Sequence, residues 1–277
     1  MYKTLSPFYI GFSEKFKDVA QSVADAGFDG YWFDIVEDSK YPSDKTIGLL
    51  NKTGLRSAGF SLPTDFRNEE EVFTNELIKL KDYAQYAESI GAKRCVTWIA
   101  PFSDKYPWVE NFDIHCVRLR KISEILSSHG ISFGIEFLAP PKLREGKKYE
   151  FIHNLDQILT LCNAVGTGNC GLLMDVWHWD LAGQTKADFG KITADMVVLA
   201  HIQDAPAGIA VSEQISSVRK LPGATGVLKI ADFFDGLLSI GYDGPVLAEP
   251  FDKELTEKPF NEAIRTVMDS INSVWPL

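Results

Sequence analysis

Two periodicities alternate along the chain. Short runs rich in apolar, β-branched and aromatic residues occur at "FYIGFS" (8–13), "GYWFDIV" (30–36), "RSAGFSL" (56–62), "RCVTWIA" (94–100), "SFGIEFL" (132–138), "GLLMDVWH" (171–178), "MVVLAHIQD" (196–204) and "PVLAEPF" (245–251). Each predicts a strand. Between them apolar residues recur at helical spacing, as in Ile114, Val117, Ile122, Ile125 and Leu126, or Phe260, Ile264, Val267, Met268 and Ile271. Several strands follow the same phrase, a helix end closed by glycine: "DAGFDG", "SIGAKR", "SHGISF" and "SIGYDG". "GTGNCG" (166–171) matches G-x-G-x-x-G but stands between a helix and the following strand, the reverse of a dinucleotide site, and reads as a helix stop.

Strands apolar on both faces, each followed by a helix, predict parallel pairing, and eight such units predict closure into a (β/α)8 TIM barrel. A length of 277 residues alone would also suit two average domains. No composition shift or Pro/Gly/Ser linker divides the chain, so residues 1–277 are expected to form a single barrel domain.

Composition narrows the partners. A formal charge of −10 works against binding a phosphate backbone, despite the local basic run "KLREGKK" (142–148), so no nucleic-acid partner is expected. There is no run of about 18 apolar residues, and "MYKTLSPFYIGF" lacks the apolar stretch of a secretory signal, so the expectation is a cytoplasmic protein with no membrane partner. Cys95, Cys116, Cys162 and Cys170 form no C-x-x-C pair and read as packing thiols of a reducing compartment.

In a barrel of this kind chemistry sits where strands end. The second half of the chain carries Glu136, Asp175, His201 and Glu249 near predicted strand ends, each inside an apolar run. Burying a carboxylate requires a compensating partner. Three carboxylates and one imidazole make an oxygen-rich site for one divalent metal ion, Mn²⁺, Mg²⁺, Co²⁺ or Zn²⁺. Strict strand alternation puts His178 on the face opposite Asp175, so His178 joins them only if the backbone turns after Trp177. His115, His129 and His153 fall on predicted helices.

With "GIEF", "MDVWH", "HIQD", "RKLPG" and "AEPF" in order between residues 134 and 251, the chain resembles the xylose-isomerase-like sugar isomerase/epimerase superfamily. Its C-terminal half is most similar to inosose (2-keto-myo-inositol) isomerases, while the first four strands share only the general pattern. The resemblance implies that Glu136, Asp175, His201 and Glu249 hold the metal, that the two glutamates also form the acid/base pair, and that His178 and Arg219 contact substrate. Two places depart from the relatives. Trp32 stands where many have a carboxylate near the mouth, with Asp34 two residues on, and the P-G turn continues "ATGVLK" where they often have G-x-G-x-I-D.

The expected activity is therefore metal-dependent isomerisation or epimerisation of a sugar or keto-polyol through an enediolate, with Glu136 and Glu249 exchanging the proton. Trp98, Trp108, Trp177 and Trp179 are candidates to pack on sugar C–H faces, and Lys142, Arg144 and Arg219 to bind hydroxyls or an anion. The segment from His201 to Gly223 is expected to loop over the mouth and deliver Arg219. The partner is a small sugar or cyclitol, with a homo-oligomer allowed. A lyase, dehydratase or 3-keto-sugar-processing enzyme starting from the same enediolate is the main rival. An endonuclease-IV-like nuclease would need more histidines, and a non-catalytic sugar-binding barrel would not need paired carboxylates.

Overall fold

In the computed structural model, which describes residues 1–276, eight parallel strands close into a barrel in chain order. They are β1 (Tyr2–Leu5), β2 (Gly30–Phe33), β3 (Arg56–Ser61), β4 (Arg94–Ile99), β5 (Ser132–Phe137), β6 (Cys170–Asp175), β7 (Val197–Ile202) and β8 (Pro245–Ala248). Each is followed by a helix: α1 (Phe16–Asp25), α2 (Ser43–Thr53), α3 (Glu70–Ser89), α4 (Trp108–Ser128), α5 (Leu155–Val165), α6 (Val176–Leu181), α7 (Ile230–Ser239) and α8 (Phe260–Val274). The glycine phrases do what their position predicts: Gly27, Gly91, Gly130 and Gly241 all take positive φ, as does Gly166 at the end of α5. No helix among the described residues is long and apolar enough to cross a membrane.

The first strand differs from expectation. "FYIGFS" has strand composition, but it follows Pro7 and contains Gly11 at φ 85, and Phe8–Ile10 form a 3₁₀ turn at the mouth. The strand that closes the barrel is the preceding "YKTL", paired to β8 and β2. β2, β6, β7 and β8 also stop short of the predicted ends. Asp34 and Asp175 explain two of these, because each caps a helix that begins at the next residue. Of the histidines expected on helices, His115 lies on α4, His129 is the residue after it, and His153 precedes α5. Val117 of α4 turns outward, 52% exposed.

Inside the barrel, Trp32, Ala58, Val96, Leu173, Val198 and Leu247 pack as one apolar cluster. Trp32 fits because Gly59 faces it: a Cβ there would come within 2.5 Å of the indole and 2.6 Å of the Arg94 carbonyl oxygen. Trp32 thus fills the interior, and its Nε1 donates to Ser61 Oγ. Asp34, at the head of a short helix, lies 3.6 Å from Lys15 Nζ. A larger apolar shell, including Phe60, Phe133, Ile135 and Val246, packs against the helices. With the interior filled, polar side chains collect above it, at the C-terminal ends of the strands.

Candidate metal centre

Four strand ends bring Glu136 (β5), Asp175 (β6), His201 (β7) and Glu249 (directly after β8) together, each offering a ligand atom within 4.8 Å of the others. All four are buried. An ion held about 2.1 Å from each donor requires donors about 3 to 4 Å apart, so the cluster is close to coordinating geometry. The two carboxylate oxygens of Asp175 are used differently. Oδ1 accepts from Trp177 N (2.6 Å), His178 N (3.3 Å) and Gln203 Nε2 (2.5 Å). That leaves Oδ2 facing the cluster, 3.8 Å from His201 Nδ1.

The charges are unbalanced. Arg219 Nη1 donates to Asp175 Oδ2 (3.0 Å) and Glu249 Oε2 (2.6 Å), but one guanidinium cannot offset three carboxylates. Burial pushes the Glu136 carboxyl well above the usual range, and Asp175 and Glu249 add to the effect. Burial opposes charge on His201 as well, yet Glu249 and the other carboxylates push its imidazole up to about 10. At Asp175 burial is outweighed by Arg219 and His201, which hold the carboxyl well below its ordinary value. Both upward shifts express the same deficit of positive charge. Two buried polar atoms, Glu136 Oε1 and His201 Nε2, have no hydrogen-bond partner among the described residues. Oxygen-rich donors, unspent lone pairs and missing positive charge all fit a divalent metal ion.

His178 reaches this cluster by a route that strand alternation does not allow. The backbone turns at Asp175, two residues earlier than supposed, and α6 carries His178 round to within 3.8 Å of Glu136 Oε1. Ala139 N donates to its Nδ1 (3.2 Å), so the proton of the neutral ring sits on Nε2. Burial keeps that ring neutral, lowering its pKa to about 3. Arg219 Nη2 lies 3.3 Å from the same nitrogen. Two N–H groups therefore lie side by side at the edge of the cluster, and Arg219 Nη2 also donates to Ser216 Oγ at 3.2 Å.

The segment after β7 does loop over the mouth. Asp204 and Lys220 pair through their backbones and cinch its base, which sets Arg219, the residue before Lys220, over the cluster. The Arg219 guanidinium lies 5.2 Å from the Trp177 ring centre and 5.0 Å from that of Phe251. Trp177 and Trp179 are fully buried, the first under Arg219 and the second against Phe189 and Phe233. Trp98 is 45% exposed and lines a cavity of about 450 Å³ shared with Glu136 and Glu249. Trp108 stacks on Phe112 at the start of α4. Lys142 pairs with Glu145 and Glu213 on the surface, and Arg144 donates to the Ala139 carbonyl oxygen.

Sequence reasoning passed over other residues at this mouth. Tyr9 packs edge-on against His201 at 5.0 Å, with its hydroxyl 3.2 Å from Ser61 Oγ. Its place in a supposed strand concealed it. Gln203 is fully buried, and its position two residues after His201 in "HIQD" was the available signal. Phe251 lines the cavity at φ 42, an uncommon conformation for a bulky residue.

Residues 20–273 match the xylose isomerase-like TIM barrel family. The chain belongs to that family. Among curated family relatives, an inosose isomerase from Halalkalibacterium halodurans is 28% identical over 159 residues, 56% of this chain and 52% of that protein, so the match spans about half the relative's length. A xylose isomerase domain protein from Alicyclobacillus acidocaldarius superposes with a TM-score of 0.88 at 25% identity, covering 99% of this chain and 98% of that one. A crystal structure of an IolI protein with a bound zinc atom superposes with a TM-score of 0.83 at 18% identity, covering 99% and 98%.

Proposed function

We propose that the chain is a divalent-metal-dependent isomerase or epimerase of a sugar or keto-polyol, acting by proton transfer through an enediolate. The observation that carries this reading is the buried Glu136, Asp175, His201 and Glu249 cluster, two of whose carboxylates also line the mouth cavity. A relative named inosose isomerase supports a cyclitol or sugar substrate, and a fold neighbour with a bound zinc atom supports a metal.

In this proposal Glu136, Asp175, His201 and Glu249 hold the ion, which when bound would draw electron density from a substrate carbonyl and acidify the adjacent C–H. Glu136 and Glu249 enter the cavity from β5 and from the end of β8, three strands apart round the barrel. That separation lets one carboxylate remove a proton and the other return one from a different side. His178 Nε2–H and Arg219 Nη2–H hold a substrate oxygen between them. Trp177 carries Arg219, and Trp98 forms a wall of the cavity.

The test is solvent exchange. Ketoses, inososes and 3-keto sugars are incubated with the Mn²⁺-loaded protein in D₂O and followed by NMR. The expected result is deuterium at the carbon next to the carbonyl of both substrate and product. Conversion without any deuterium entering product would replace solvent-exchanging enolisation by a hydride shift or a shielded transfer. Loss of a hydroxyl instead of its relocation would make the protein a dehydratase.

A further inference from the structure

The cavity at the mouth has a second polar end that the proposed chemistry does not use. Asp65, Arg67 and Trp98 line it together with Glu136 and Glu249. Trp98 on β4 is in register with Glu136 on β5, so their backbones lie about 4.8 Å apart and Arg67 is reached one tryptophan away from the reacting glutamate. The Arg67 guanidinium is wedged between two rings, 4.3 Å from the Trp98 centre and 4.6 Å from that of Phe66. Its Nη1 donates to the Trp98 carbonyl oxygen at 2.8 Å and its Nε lies 3.1 Å from Asp65 Oδ1. Asp65 is held in turn: its backbone N donates to Glu76 Oε2, and its Oδ1 accepts from Arg67 N.

This fixed pair has unused capacity. Asp65 Oδ2 receives only a long 3.4 Å contact from Asn68 Nδ2. Arg67 Nη2 donates to nothing among the described residues. A guanidinium donor and a carboxylate acceptor, locked side by side at the edge of a half-exposed indole, match a vicinal diol: one hydroxyl accepts from Nη2–H, the next donates to Oδ2, and the C–H face packs on Trp98. An anionic group does not match. Asp65 already balances Arg67, and a phosphate or carboxylate there would face Asp65 while sharing the cavity with Glu136 and Glu249.

We infer that Asp65, Arg67 and Trp98 form a subsite for a neutral vicinal diol at the end of the substrate remote from the reacting carbons, selecting uncharged polyols over their phosphate esters. This inference rests on the sugar isomerase reading and adds to it the charge of the substrate.

The experiment compares binding of myo-inositol and myo-inositol 1-phosphate, which share a ring and differ in charge, to the Mn²⁺-loaded protein by calorimetry. Parent, Arg67→Gln and Asp65→Asn proteins are used, with metal content and melting temperature recorded for each. The parent should bind myo-inositol at least about tenfold more tightly than the phosphate. Arg67→Gln, folded and metal-loaded, should lose about tenfold or more in myo-inositol affinity, as expected for a hydrogen bond to a charged group. Asp65→Asn should narrow the discrimination against the phosphate, a change that structural damage alone would not produce. A parent that prefers the phosphate, or a folded Arg67→Gln protein with parental myo-inositol affinity, overturns the subsite. If Arg67→Gln does not fold, Asp65→Asn decides, and unchanged discrimination overturns it. Failure of the isomerase reading looks different: no ketose exchanges its α-proton, whatever the myo-inositol affinities.

Discussion

Two kinds of buried carboxylate lie at the same barrel mouth, Asp204 after β7 and Glu136 on β5. Asp204 is completely buried, yet its needs are met by the chain itself. Oδ1 accepts from the backbone N–H groups of Ala205, Val227 and Leu228, and Oδ2 from those of Thr225 and Gly226, at 2.7 to 3.1 Å. Glu136 is buried to a similar depth and has one oxygen with no partner among the described residues, in a cluster short of positive charge. The first carboxylate is a structural tie that closes a long loop. The second is an open demand, and a demand maintained at a cost in stability marks where a ligand belongs.

The widest separation between the two should come from substituting each in turn. Glu136→Gln should lower turnover by about 10²-fold or more, the range for a general acid–base group, while the melting temperature stays level or rises because a poorly compensated buried charge has gone. Metal content measured on the same sample separates proton transfer from loss of the ion. Asp204→Ala should do the reverse, leaving the four cluster residues in place but stranding five backbone donors. The expected cost is at least about 3 kcal/mol, or roughly 6 to 12 °C in melting temperature. A stable Asp204→Ala protein beside an unfolded Glu136→Gln protein would break the comparison outright.

Acid sharpens it further. Burial works against the charge on Asp204, but hydrogen bonds from Leu228, Thr225 and Ala205 outweigh it and hold the carboxyl below its ordinary value of 3.8. Its folded pKa is depressed, so its contribution is fully present above about pH 3.8 and is lost as pH falls through the lower folded value. The gap in urea midpoint between the parent and Asp204→Asn should therefore be constant from pH 7 to pH 5 and shrink below pH 4. A gap that widens in acid would mean that Asp204 is not held in its charged form. The smallest effect is expected at Lys142, whose ammonium is engaged with Glu145 and Glu213 outside the cavity. Lys142→Ala should leave KM within about twofold, as for a surface ion pair of little energetic weight. A large rise in KM would bring the Lys142 loop into the substrate site.

The repeated alternation of short apolar runs and helically spaced ones was sufficient for a closed parallel barrel, because strand and helix periodicities are local and eight repetitions leave few other ways to bury them. The residues at the ends of β5 to β8 were legible for a related reason: a charged side chain inside an apolar strand run is conspicuous along one dimension. Local pattern was misleading where backbone geometry changes within a run. "FYIGFS" turns after Pro7, and "MDVWH" becomes a helix at Asp175, the turn that brings His178 to Glu136. What only the tertiary structure decided is which groups are already satisfied. "HIQD" carries two polar groups of ligand type three residues apart, His201, an expected ligand, and Asp204, which is not one. One faces carboxylates from other strands, while the other is closed off by amides 21 to 24 residues further along the chain. The Arg67 and Trp98 contact joins residues 31 positions apart. Hydrogen-bond satisfaction and charge balance depend on distances through space, and sequence spacing does not carry those distances until the barrel has closed.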